Sequence, residues 1–500
     1  MTILDQPRAT LSSAEERFER VRHTVGLYLG PVMFAVLWWL EMPGLSPEAH
    51  RLAAIVSLVV VWWVTEAVPL PVTGLVGTTL SVLCGVATAP EAFAPYASPI
   101  IFLFIGSFII AEAAATHGLD RRLALGILSL PAVRGQAWRV RLAMGGLTVG
   151  LSAWMSNTAT AAMMVPVAVG VISASGGDRP RDRGAIGLLL TIAYGAAIGG
   201  ILTPVGSPPN LIALGLLDDL GGVRIDFLTW MALMLPLGLA LSVALFGLSS
   251  VLFGRPEAGA AMPETGDLLG PTGWTRGQRN CLVAFGLAVA LWITPGVVAV
   301  GGWSQTSIGQ TLTRRLDEGA VAVAAAALLF LLPVDWPQRR FTVTWQDAAR
   351  IDWGTILLFG AGLSMGRLMF ETGLAERLGA GLIAASGAET LWGITALTIA
   401  LGIVVTEITS NTAATNMLVP VILTMASAAQ IHPVPPVLGA CLGASMAFML
   451  PVSTPPNAIV YGTGRVPITT MISFGVLLDL VGFVVILVGL WLLCPLFGFV

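Results

Sequence analysis

Residues 156–169 read SNTATAAMMVPVAV, and residues 410–423 read SNTAATNMLVPVIL. Eight of the fourteen positions are identical, and the flanks repeat in the same order. Upstream, HGLDRRLA from His117 resembles TGLAERLG from Thr372; downstream, PVGSPPNLIALG from Pro204 matches PVSTPPNAIVYG from Pro451. Three matched blocks in one order define an internal duplication. The blocks lie in apolar stretches that are interrupted by Ser-Asn-Thr or by Pro-Pro-Asn, residues an uninterrupted spanning helix has little reason to carry.

Composition identifies the solvent around these stretches. The 500 residues are 56% hydrophobic and 11% charged, with mean hydropathy +0.85, whereas soluble domains carry about 25% charge. A surface this poor in charge faces lipid. Net charge is −3, all 25 basic residues are Arg, and no basic tract occurs, which argues against a nucleic-acid partner. The four cysteines (Cys84, Cys281, Cys441, Cys494) are far apart and read as small core residues. No GxGxxG, HExxH or GxSxG motif is present, so no enzyme is expected.

Apolar segments near 26–42, 51–68, 70–88, 99–116, 184–217, 227–253, 281–301, 319–334, 351–371, 434–464 and 469–497 predict about eleven transmembrane helices. The stretches 142–175 and 389–429, each broken midway by Ser-Asn-Thr, predict two re-entrant hairpins. Residues 1–25 are polar, with Arg8, Arg17, Arg20 and Arg22, and predict a cytoplasmic tail rather than a cleaved signal. With that tail inside, alternation places 19 arginines on the cytoplasmic side and six elsewhere, the bias that orientation rules require. The first hairpin then opens inward and the second outward. The expected fold is an all-α polytopic membrane protein with inverted five-helix repeats after a first span outside them, the plan of many secondary transporters. Residues 254–280, rich in Pro, Gly and charge, form a cytoplasmic linker between the halves.

Each half thus has two helix breaks at membrane depth. Ser, Asn and Thr cap helix N-termini, and Pro suits a first helical turn, so each motif alone reads as a cap or a kink. Four in symmetric pairs point to a site, because unwound backbone is tolerated in a membrane mainly where it lines one. Half-helix N-termini, the hydroxyls of Ser156, Thr158, Ser410 and Thr412 and the amides of Asn157 and Asn411 suit carboxylate or sulfate oxygens. Opened carbonyls and Asn oxygens suit a hard cation such as Na⁺. No Arg or Lys occurs in 142–178, 184–223 or 378–464. A buried dianion without a fixed cation is costly, so bound Na⁺ is expected to supply the positive charge, with Arg367 the nearest basic exception. Glu66, Glu112 and Glu407 are acids in apolar context and candidates for function, Glu407 as a support of the second hairpin or an ion ligand. His432, in HPVPP, reads as interfacial.

WWVTEAVPLPVTG (62–74), PYASPIIFLFIGSFIIAEA (95–113), AYGAAIGGILTPVGSPPN (193–210), MLPVSTPPNAIVYGTG (449–464) and the two Ser-Asn-Thr motifs resemble the divalent anion/sodium symporter family, over nearly the whole chain. The resemblance implies Na⁺-coupled symport of small dianions in a bacterial inner membrane by a homodimer working as an elevator. It implies scaffold helices over 26–116 and 281–371 and a transport domain over 117–253 and 372–500. Substrate contacts would be Ser156, Asn157, Thr158, Ser410, Asn411 and Thr412, with Ser207, Pro208, Thr454 and Pro455 closing the site. One Na⁺ would use Ser152, Ser156, Asn157 and Gly206, and another Thr406, Thr409, Asn411 and Ser453, several through backbone carbonyls. The SPPN and TPPN forms favour C4-dicarboxylates such as succinate, malate or fumarate. The rival readings are citrate, tartrate or sulfate as cargo, or sodium-independent dicarboxylate exchange. A channel or a membrane-embedded enzyme fits the residues less well.

Overall fold

The computed structural model describes residues 13–128, 137–174, 182–254 and 273–500. Arg8, Arg134, Arg179, Arg181, Arg255 and most of the 254–280 linker lie outside the described residues.

The chain opens with α1 (Ser13–Trp39), α2 (Pro47–Thr65), α3 (Leu70–Leu83) and the short α4 (Ala89–Phe93). The first repeat runs α5 (Pro99–Thr116), α6 (Leu119–Leu128), α7 (Ala137–Ser152), α8 (Asn157–Ala174), α9 (Arg183–Gly200), α10 (Pro208–Asp219) and α11 (Phe227–Phe253). Next come α12 (Arg276–Val300), α13 (Ser307–Arg315), α14 (Glu318–Leu331), a small antiparallel pair β1 (Pro333–Asp335) and β2 (Arg340–Phe341), and α15 (Trp345–Ala348). The second repeat is α16 (Trp353–Glu371), α17 (Leu374–Ser386), α18 (Leu391–Ile408), α19 (Asn411–Ala428), α20 (Val434–Ala444), α21 (Pro455–Tyr461) and α22 (Ile468–Leu493). Seven helices of one repeat answer seven of the other in order.

Among the described residues, nine helices are long and apolar enough to cross a membrane. The expected eleven spans differ from these for local reasons. The stretch 184–217 is α9 plus α10, and 434–464 is α20 plus α21, each parted by an unwound segment. The stretches 70–88 and 319–334 hold helices of only 14 residues, about 21 Å at 1.5 Å per residue. The leg α18, read as half of a hairpin, has 18 residues and qualifies by length.

The chain folds as two compact units. One holds Met1–Ala97, Pro208–Arg224 and Leu357–Val500; the other holds Ser98–Ser207 and Ile225–Ile356. The division falls inside the first Ser-Pro-Pro-Asn motif, so α10 belongs to the first unit, where it packs on α19 and α20 of the other repeat.

Within each unit a hairpin leg lies backbone to backbone against the broken helix that follows. A Cβ on Gly199 of α9 would sit 2.3 Å from the Val149 carbonyl oxygen of α7, and one on Gly443 of α20 would sit 2.5 Å from that of Ile399 in α18. Small residues permit this approach, as at membrane helix interfaces generally. In the first unit Ile55, Val59 and Trp63 of α2 form a core with Leu358, Met365 and Ala413. In the second, Trp154 stacks on Phe227 at 6.2 Å and meets Phe285 edge-on at 5.0 Å, while Phe227 stacks in turn on Trp292.

Candidate functional site

The Ser-Asn-Thr motifs begin helices. Ser156 Oγ accepts the Ala159 N–H at 3.1 Å, and Ser410 Oγ accepts that of Ala413 at 3.2 Å, so both serines cap the second legs, α8 and α19. An accepting hydroxyl keeps its own proton to donate. Thr158 and Thr412 follow in the first turn, half-buried.

The asparagines turn back to the first legs, and the two halves do so alike. Ser152 Oγ lies 2.8 Å from Asn157 Oδ1 and 2.7 Å from the Ala196 carbonyl. Thr406 Oγ1 lies 2.8 Å from Asn411 Oδ1 and 2.6 Å from the Ala444 carbonyl. Each hydroxyl has one proton and two acceptors in reach, so it serves one of them at a time. With the proton on the carbonyl, the carboxamide oxygen is left as an acceptor beside the hydroxyl oxygen, a pairing that suits a cation. The break after α9 adds more oxygen. A Cβ on Gly206 would lie 2.6 Å from Gly200 O, 2.9 Å from Ala153 O and 3.1 Å from Ser152 O. Gly200 leaves room for the Asn157 carboxamide, whose Oδ1 would sit 2.5 Å from an added Cβ. Ser152, Ser156, Asn157 and Gly206 are therefore assembled within one unit, as a hard-cation site requires.

The corresponding set in the other unit uses its residues differently. The Thr409 hydroxyl donates to the Trp63 carbonyl at 2.9 Å. The Ser453 hydroxyl donates to Glu407 Oε2 at 2.7 Å. Both hydroxyls are thus occupied, and backbone carbonyls are what Thr409 and Ser453 have to offer an ion.

The two halves also fix their breaks by different chemistry. In the first, the Thr203 hydroxyl donates to the Ala153 carbonyl. In the second, Glu407, at the place of Ala153, accepts the N–H groups of Met449 at 2.7 Å and Leu450 at 3.3 Å. Asn457, in the second Pro-Pro-Asn, donates to the carbonyls of Ala447 at 2.9 Å and Leu450 at 3.0 Å. Unwound groups at these depths are satisfied by side chains, as a low-dielectric setting demands. Ser207 and Thr454 are buried in extended backbone just before Pro208 and Pro455, which open α10 and α21.

Other expectations fall elsewhere. Arg367 is half-exposed and paired with Glu371 at 2.8 Å. Glu66 ends α2 in the left-handed region (φ 50°), 3.6 Å from Arg22. Glu112 is half-buried in α5. His432 lies against Phe499, ring centroids 5.5 Å apart. Sequence reading passed over Asp479, buried in α22; its signal was an acid at the middle of an otherwise apolar span.

Helices broken in a repeated pattern, with hydroxyls and carbonyls gathered at the breaks, define a membrane transporter. The family described as the sodium:sulfate symporter transmembrane region matches residues 22–498, and the chain belongs to it. The sodium-dependent dicarboxylate transporter SdcS of Staphylococcus saprophyticus is 32% identical over 495 residues, covering 96% of this chain and 93% of that protein. SdcS of Staphylococcus aureus strain USA300 is 30% identical over 486 residues, covering 94% and 91%. Among solved structures, the YdaH transporter of Alcanivorax borkumensis aligns with TM-score 0.52 at 14% identity over 95% of this chain and 98% of its own. MtrF of Neisseria gonorrhoeae aligns with TM-score 0.54 at 12% identity over 95% and 94%. At those identities the likeness is one of fold.

Proposed function

We propose that this protein is a Na⁺-coupled symporter of C4-dicarboxylates, working in the bacterial inner membrane with its N-terminus in the cytoplasm. The observation that carries the reading is the matched hydroxyl–Asn–carbonyl arrangement at the two hairpin turns, Ser152–Asn157–Ala196 and Thr406–Asn411–Ala444. One Na⁺ sits with Ser152, Ser156, Asn157 and Gly206, the other with Thr406, Thr409, Asn411 and Ser453. A dicarboxylate lies between them, taking hydrogen bonds from Ser156, Asn157, Thr158, Ser410, Asn411 and Thr412, with Ser207, Pro208, Thr454 and Pro455 closing around it. The sodium dependence and the dicarboxylate named for the staphylococcal relatives support this reading.

Charge explains the coupling. The stretches holding all four motifs contain no Arg or Lys, and Arg367 is engaged by Glu371. A dianion placed there is stabilised chiefly by half-helix N-termini and by bound Na⁺, so empty ion sites mean weak substrate binding. The hairpins and the broken helices move together as a transport domain (117–253 and 372–500) against a scaffold (26–116 and 281–371) that carries the dimer interface.

Uptake of labelled succinate into proteoliposomes tests the reading. Uptake that requires an inward Na⁺ gradient and is competed by malate and fumarate, and not by sulfate or citrate, is the expected result. Uptake in choline accelerated by internal dicarboxylate makes the protein an exchanger and overturns the charge argument.

A further inference from the structure

The second half carries a pair of acids that the first half lacks. Asp479, in the twelfth position of α22, is 3% exposed, and neither carboxylate oxygen meets a hydrogen-bond donor. Its charged neighbour is Glu407, itself 6% exposed. Among the described residues neither acid makes an ion pair. The first half has Ala153 at the place of Glu407 and Gly238 in the twelfth position of α11.

The two acids are not equivalent. Glu407 accepts two backbone N–H groups and the Ser453 hydroxyl, donors enough to stabilise one negative charge. Asp479 has none, and an uncompensated buried carboxylate is among the costliest groups a protein can hold. Nor is Asp479 turned toward lipid. Gly475 lies one turn earlier on the same face of α22, and a Cβ there would sit 2.3 Å from the Phe448 carbonyl oxygen. That face of the helix lies against the unwound segment between α20 and α21.

We infer that Asp479, with Glu407 beside it, is a cation site distinct from the two proposed above, holding one Na⁺ at the second break. The donors are hard oxygens, and one negative charge lacks compensation, which matches a monovalent hard cation. The identity of the cation rests on the sodium-coupled reading. The ion neutralises Asp479 and ties α22 to the segment that Glu407 holds, so its occupancy stabilises the second break before substrate binds.

The test uses the full-length protein in detergent, its unfolding temperature followed as NaCl replaces choline chloride at constant ionic strength without substrate, with Na⁺-activated succinate uptake measured in parallel. Asp479→Asn keeps the shape and removes the charge. The variant is expected to unfold in Na⁺-free buffer at or above the wild-type temperature, because the uncompensated charge is gone. It is expected to gain less stabilisation from Na⁺. The Hill coefficient for Na⁺ in uptake is expected to fall by about one, with succinate half-saturation at high Na⁺ within about two-fold of wild type. Asp479→Glu retains the coefficient. An Asp479→Asn protein that fails to fold, or keeps the wild-type Na⁺ response, overturns the inference; so does an unchanged Na⁺ response with a shifted pH profile, which assigns a proton to the pair. A wild type indifferent to Na⁺ in both assays overturns the sodium-coupled reading instead.

Discussion

Asn157 and Asn411 are the residues on which ion and substrate converge. Each reaches back to a hydroxyl of the preceding leg, and that hydroxyl reaches a carbonyl of the next helix. Replacing either by Ala removes an oxygen from the cation set and a donor from the anion set together. We expect Asn157→Ala and Asn411→Ala each to raise both the Na⁺ and the succinate half-saturation by about ten-fold, about 1.4 kcal/mol, in proteoliposome uptake. A change in one constant alone contradicts a shared boundary. Ser410 has a second, simpler role as the cap of α19. Ser410→Ala is expected to cost about 1 kcal/mol and Ser410→Gly a few tenths, read from unfolding temperatures without substrate. Spacing made these residues legible, because Ser-Asn-Thr recurs in a matched frame. It left open which oxygens are free. That the hydroxyls of Thr409 and Ser453 are turned to Trp63 and Glu407 depends on neighbours hundreds of residues or several turns away.

The elements owe their form to where helical hydrogen bonding stops. Pro208 and Pro455 restart helices after unwound segments, a position that suits a residue without an N–H. The segment before Pro455 is held by Glu407 rather than by a ladder. Glu407→Ala strands two buried N–H groups and a hydroxyl, and is expected to destabilise the protein by about 3 kcal/mol or more. Glu407→Gln keeps an acceptor oxygen and is expected to lose less; equal losses contradict the anchoring role. Gly199→Ala sets a methyl against a backbone carbonyl of α7, an overpacking expected to cost about 1–3 kcal/mol. The breaks themselves were readable from polar residues in apolar runs. The shortness of α3 and α14 was not, because hydropathy marks where a chain is apolar and not where its helix ends. Asp479 was readable as an acid within a span, but its lack of a donor emerges only from the packing of α22.

At the scale of the molecule, the duplication is plain in the sequence, while the way the chain divides is not. The first Ser-Pro-Pro-Asn motif is cut between Ser207 and Pro208, and α10 packs on helices of the other repeat. No local pattern encodes that exchange, since apolar helices fit many partners. The turns of the hairpins touch helices assigned to the proposed scaffold, Trp154 on Phe285 of α12 and Thr409 on Trp63 of α2. If the hairpins move, these contacts break and reform. Joining Trp154→Cys to Phe285→Cys with a short bifunctional thiol reagent is expected to stop uptake while Na⁺ still raises the unfolding temperature. Full turnover of the cross-linked protein contradicts a moving transport domain. The central claim, that bound Na⁺ supplies the charge a dicarboxylate needs in a site without basic residues, is tested most directly by calorimetric titration of the purified protein with succinate. The prediction is saturable binding in NaCl and none in choline chloride at equal ionic strength, whereas equal affinity in the two salts contradicts it.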